Sequence, residues 1–75
     1  MRVEAVVARV LNVDPSDVND QSSNETMAEW DSMAHLSLIA GLEEEFKVSL
    51  AVTDALEMTS VLRIKQILTE YGVSP

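Results

Sequence analysis

Apolar positions along the chain fall into helical rhythms separated by polar, turn-rich stretches. Val3, Val6, Val7, Val10 and Leu11 follow the i, i+3, i+4, i+7, i+8 spacing of one helix face, which predicts an amphipathic helix ending near Asn12. Valine is a modest helix former, so burial must hold this helix. From Val13 to Asp31 the rhythm dissolves into "VDPSDVNDQSSNETMAEWD", whose Asp, Asn and Ser side chains offer the backbone local hydrogen bonds in place of a ladder. So long a stretch without helix or strand points to a functional loop, with Val13, Val18, Met27 and Trp30 as apolar pins.

A second helix starts at Asp31 or Ser32, either of which is a good N-cap, and runs to about Phe46. At 100° per residue, Leu38, Ile39, Leu42 and Phe46 share one side, with His35 among them. The flanks and far side carry Met33, Leu36, Ser37, Ala40, Gly41 and Glu44, more apolar residues than a solvated face requires. Gly41 costs about 1 kcal/mol against alanine in a helix interior, which suggests a close approach by a neighbouring helix or a partner. After a short connection anchored by Val48 and Leu50, Thr53 is placed to cap a short helix over Asp54 to Glu57. Thr59 or Ser60 then caps a last helix with Val61, Ile64, Ile67, Leu68 and Tyr71 as its stripe and Gly72 as its stop. The prediction is all-α: three main helices, a short one and a long first loop.

With 75 residues there is room for one small domain, 1–75, and little room for a deep active site. The absence of cysteine removes disulfides, thiolate metal sites and thiol nucleophiles, and fits a reducing, cytoplasmic setting. Charged residues at intervals make the N-terminal segment a helix, not a signal or a membrane span. The net charge of −8 argues against nucleic acid and anionic membranes. Of thirteen acids and five bases, eleven acids and one base (Lys47) lie between Asp14 and Glu57. That concentration makes a directed acidic surface able to steer basic partners, or simply a solubilising one.

Asp31, Ser32 and His35 invite comparison with a hydrolase, but the projection turns His35 toward the core, Asp31 stands beside the serine, and there is no nucleophile elbow. Glu43, Glu44 and Glu45 point in three directions and cannot converge on one ion; Glu29 and Asp31 could at most recruit a hydrated divalent cation weakly. No metal site is expected. A hydroxyl in the first helical turn would suit a phosphodiester, because the macrodipole and unpaired N–H groups favour a phosphate there. On the residues alone, Ser32 is either a plain cap or such an attachment point.

The segment "WDSMAHLSLIAGLEEEFKVSL" resembles the prosthetic-group region of the acyl carrier proteins, whose hallmark is Asp-Ser-Leu followed by an amphipathic helix ending in an acidic stretch. Asp31, Ser32 and Met33 stand on that hallmark, with methionine for leucine. The likeness extends over most of the chain, from the first helix through "VDPSDV" to a last helix introduced by "EMTSVLRI". It implies an acyl-carrier-like four-helix bundle in which a phosphopantetheinyl transferase, using coenzyme A and magnesium, attaches 4'-phosphopantetheine to Ser32, beside Asp31. Acyl groups would be carried as thioesters and presented to loading and processing enzymes, without catalysis by the carrier.

The resemblance further implies a monomer whose second helix is read by partners through Met33, Leu36 and Ala40, with Glu43 and Glu44 meeting basic patches. Val7, Leu38, Leu42, Phe46, Leu50, Met58, Ile64 and Leu68 would surround a cavity for an acyl chain. Trp30 replaces the small residue usual before Asp-Ser, the Asp-Leu-Gly often found upstream is missing, and Ala34, Ser37, Val52, Thr53 and Leu56 stand where fatty-acid carriers often have acids. These departures point to a specialised carrier for polyketide, surface-polysaccharide or modified-lipid synthesis. The alternatives are an unmodified helical interaction module with an acidic face, and a D-alanyl or peptidyl carrier.

Overall fold

The valine-rich first segment is helical because its apolar face is covered. Val3, Val6, Val7, Ala8 and Leu11 of α1 (Arg2–Leu11) are all buried. The computed structural model describes residues 2–75. After α1 come a 3-10 turn over Pro15–Asp17, α2 (Ser32–Phe46), α3 (Val52–Glu57) and α4 (Val61–Glu70). Among the described residues the only strand-like pairing is an isolated bridge between Ser23 and Ser60. The all-α expectation of three main helices, a short one and a long first loop holds. No helix among the described residues is long and apolar enough to cross a membrane.

Three helices stop by the same device. Asn12 (φ 58°), Lys47 (φ 55°) and Gly72 (φ 81°) adopt the left-handed conformation just past α1, α2 and α4. The next amide in each case reaches back five residues: Val13 to the Ala8 carbonyl at 3.0 Å, Val48 to Glu43 at 3.2 Å and Val73 to Leu68 at 3.0 Å. These bonds satisfy carbonyls that the helix ends would otherwise leave orphaned.

One apolar core joins α1, α2, α4 and the long loop, with Leu38, Leu42, Met58, Ile64 and Leu68 fully enclosed; α3 itself buries no residue, and Met58 enters the core just past its end. α1 lies against α2 at Gly41, where a Cβ would come within 3.3 Å of Val10 Cγ2 and 3.4 Å of Val6 Cγ1. The neighbouring helix, not a partner protein, accounts for that glycine.

The long loop is ordered by polar bonds as well as apolar pins. Val18 and Trp30 are buried, and Val13 and Met27 pack against the core. Backbone bonds tie the loop to the start of α4: Asn24 N–H to the Thr59 carbonyl and Val61 N–H to the Ser22 carbonyl, each 3.0 Å. Lys65 Nζ reaches Asp20 of the loop at 2.6 Å and Glu4 of α1 at 2.7 Å.

The start of α3 departs from expectation. Ala51, not Thr53, occupies its N-cap, without a side-chain cap bond. The Ala51 N–H donates instead to the Tyr71 phenol oxygen at 2.9 Å, and that phenol donates to Asp54 Oδ2 at 2.6 Å. Ala51's bond favours the phenolate and is the largest single influence, but the Asp54 bond and charge, burial and the Glu43 charge together outweigh it, and the Tyr71 pKa is raised. A contact from the far end of the chain therefore sets where α3 begins.

Candidate functional site

At the first turn of α2 the two neighbours Asp31 and Ser32 divide the work. Asp31 has extended backbone (φ −89°, ψ −175°) and its Oδ1 accepts the Ala34 N–H at 2.8 Å. Asp31 is thus the cap, and Ser32 is the first helical residue. Ser32 is exposed, and its hydroxyl has no hydrogen-bond partner among the described residues. The N–H groups of the first turn, apart from the one Asp31 takes, lack intrahelical acceptors and carry the positive end of the helix dipole.

His35 is placed as a structural residue. Its Nδ1 lies 3.0 Å from Trp30 Nε1, and because the indole can only donate, Nδ1 must accept. The imidazole hydrogen therefore sits on Nε2, which donates to the Ala55 carbonyl of α3 at 2.8 Å. Both ring nitrogens are engaged away from Ser32, and the Asp31 carboxylate serves Ala34. The three residues do not form a proton-transfer chain. The Trp30 and His35 rings lie edge to edge and nearly parallel, with centroids 6.4 Å apart and planes at 20°.

The acidic end of α2 spreads as its spacing requires. Glu43 Oε2 accepts the Leu50 N–H at 2.8 Å, so this half-buried carboxylate braces the connection to α3. Glu45 pairs with Arg2 at 3.2 Å, and the Arg2 guanidinium lies 4.5 Å from the Phe46 ring centroid. Glu44 is exposed. Of the two acids expected to face partners, Glu44 stands clear and Glu43 has a second, structural use.

Apolar residues exposed next to Ser32 form a single band. Met33 is 79% and Leu36 72% exposed on α2, and Val52 is 75% and Leu56 67% exposed on α3. Ala40 continues the band along α2. Sequence reasoning identified Met33, Leu36 and Ala40 but read Val52 and Leu56 only as replacements for acids. Their i, i+4 spacing in a short helix with no buried residue was the available signal.

Two clefts run between α2 and α3 beneath this band. The first, about 500 Å³, is lined by Ser32 and Asp31 together with Asn24, Trp30, Leu36 and Thr59 among others. The second, about 320 Å³, is lined mainly by Ile39, Ala40, Leu50, Val52 and Ala55, with Glu43 at its edge. His35, Leu36 and Leu56 border both. Of the eight residues expected to surround a cavity, Leu50 alone lines either cleft. The rest pack on one another, with Val7, Leu38, Leu42, Met58, Ile64 and Leu68 at 0% exposure. Projection along one helix identifies the core face but not the gap left beside it.

An exposed, unengaged hydroxyl in a first helical turn, with a cleft at its foot, fits a covalently attached phosphate ester and the arm it would carry. The family model described as "Phosphopantetheine attachment site" matches residues 2–68. Members of that family are non-catalytic: they bear covalent 4'-phosphopantetheine, receive it from a phosphopantetheinyl transferase and present substrates to processing enzymes. The match spans nearly the whole chain, and the protein belongs to this family of phosphopantetheine-bearing carrier proteins.

Proposed function

We propose that Ser32 is the attachment residue and that residues 1–75 form one carrier domain for acyl intermediates. The observation that carries this reading is the division of labour at α2, where Asp31 supplies the cap and leaves the Ser32 hydroxyl exposed. Once attached, the prosthetic group supplies the thiol that the cysteine-free sequence lacks, the point at which acyl cargo is held. Ser32 anchors it, the first turn of α2 offers the phosphate favourable N–H groups, and the 500 Å³ cleft lies beside it.

Met33, Leu36, Ala40, Val52 and Leu56 are the apolar contact for partner enzymes, and Glu44, with the outer edge of Glu43, meets their basic patches. Apolar burial supplies most of the affinity and charge steers the encounter. The apolar α3 residues in place of acids, and buried Trp30 before Asp31, favour a dedicated pathway such as polyketide, surface-polysaccharide or specialised lipid synthesis. The carrier acts as a monomer in the cytoplasm, where coenzyme A is available for loading. A single core shared by α1, α2, α4 and the long loop supports the one-domain reading.

Intact-protein mass spectrometry after incubation with coenzyme A, magnesium and a broad-specificity transferase tests the assignment. Wild type should gain one phosphopantetheine and Ser32→Ala none. An unmodified wild type favours the interaction module with Ser32 as a mere surface residue, and equal gain by the variant moves the attachment elsewhere.

A further inference from the structure

The two clefts are neighbours, yet a side chain stands between them. Along α2 the first uses Asp31, Ser32, His35 and Leu36, and the second uses His35, Leu36, Ile39, Ala40 and Glu43. A helix rises about 1.5 Å per residue, so Ile39 and Glu43 lie about 10 and 16 Å along α2 from Ser32. An acyl chain that starts in the first cleft and stays between α2 and α3 passes the shared border to reach the second. Two of the three shared residues, Leu36 and Leu56, are largely exposed and form the rim. His35 is half-buried and crosses from α2 to α3 through its bond to the Ala55 carbonyl.

The bond is braced from behind. Trp30 is 2% exposed, and its indole N–H is satisfied by His35 Nδ1. Swinging the imidazole aside leaves the Ala55 carbonyl with only the Met58 N–H, 3.2 Å away, and leaves a buried indole N–H with no acceptor, a costly state for a polar group out of reach of water. The clefts also differ in chemistry. Around the first, Asn24, Asp31 and Thr59 are polar; the lining of the second is aliphatic except for His35 and Glu43.

We propose that the hydrogen-bonded series Trp30, His35, Ala55 carbonyl is a gate between the clefts, and that His35 limits the length of hydrocarbon the carrier shelters. With the gate closed, alkyl chains of any length stay out of the aliphatic cleft, so shelter does not grow with chain length; with the gate open, the longer chains enter it. The inference rests on attachment at Ser32, which the loading step below checks separately.

Wild type, His35→Ala and Trp30→Phe are loaded by a transferase from butanoyl-, octanoyl- and dodecanoyl-coenzyme A, with Ser32→Ala as the control. Mass spectrometry reads loading; failure of wild type to load, or loading of Ser32→Ala, overturns the attachment and with it the gate. Loading confined to Ser32 leaves the gate to be decided by the rate at which hydroxylamine releases the acyl group. In wild type the three chains should be released at similar rates. In His35→Ala dodecanoyl should be released about tenfold more slowly than butanoyl, the factor expected from one buried hydrogen bond.

Trp30→Phe keeps an aromatic ring at the site and removes the indole N–H together with part of the bulk. It should slow dodecanoyl release in the same direction, by a smaller factor, and it decides the matter if circular dichroism shows His35→Ala to be unfolded. Chain-length protection already present in wild type, or absent from every folded variant, overturns the gate.

Discussion

Asp31 and Ser32 are adjacent, polar and both good capping residues, and their roles diverge because only one of them has the backbone conformation of a cap. That separation can be measured. Asp31→Ala should cost about 1 kcal/mol of stability, as the loss of a capping bond does, whereas Asp31→Asn should keep the cap and stay within about 0.5 kcal/mol of wild type. Urea midpoints read those values. If the Asp31 charge also serves recognition by the transferase, both variants should load more slowly, with asparagine as slow as alanine. Loading that recovers fully in Asp31→Asn would leave Asp31 with the cap alone. His35 teaches a similar lesson: its place near the core was legible from spacing, but its partners, an indole five residues back and a carbonyl twenty residues ahead, were not. No short-range pattern encodes a bond whose geometry depends on where a second helix comes to rest.

At the scale of helices, α1 and α2 approach at Gly41 closely enough for a single added carbon to be felt. A Cβ there would press on Val10 Cγ2 at 3.3 Å. Gly41→Val should therefore overpack the junction and cost about 1–3 kcal/mol, seen as a lower melting temperature. Gly41→Ala gains about 1 kcal/mol of helix propensity and loses part of it in displacing Val10. Combining it with Val10→Ala should relieve the clash, so the double variant should be more stable than the sum of the singles; strict additivity would show that the two residues do not press on each other. The glycine was visible in the sequence as an anomaly, and only packing identified its neighbour. The cap of α3 was misplaced for the opposite reason. Thr53 is a good local cap, but Tyr71 from beyond α4 holds the Ala51 amide and starts the helix earlier.

Across the whole molecule, Lys65 of α4 ties the first loop and α1 together through Asp20 and Glu4. Burial pushes the Glu4 carboxyl up, but its bonds, led by that to Lys65, outweigh burial and hold the pKa at about 2, below its ordinary 4.5. A carboxyl with a depressed folded pKa adds stability above its unfolded pKa and loses it as pH falls through the folded value. The Lys65 pKa is raised above 10.5, chiefly by its bond to Asp20 and then that to Glu4, so its own proton is retained throughout this acid range. Stability should thus fall by about 1–2 kcal/mol on going from about pH 5 to about pH 2, the effect being moderated by nearby solvent. Urea titrations across that window check the loss, and Glu4→Gln should flatten the contribution. An equally steep acid limb in the variant would assign the effect to other carboxyls.

By itself the sequence determined the all-α class, the core faces of the three main helices, the concentration of acids and the Asp-Ser turn at which α2 begins. Those features are local: periodicity, capping chemistry and charge are carried by residues close together in the chain. Tertiary structure decided that Asp31 caps while Ser32 stays exposed, that Glu43 bonds the Leu50 amide while Glu44 remains exposed, and that the clefts lie between α2 and α3 with His35 across them. The Asp31 bond spans only three residues and turns on the backbone conformation at the helix start, whereas the clefts and the His35 bridge depend on how segments distant in the chain settle against one another. A gap between two helices belongs to neither of them alone, and so has no signature in either one's sequence.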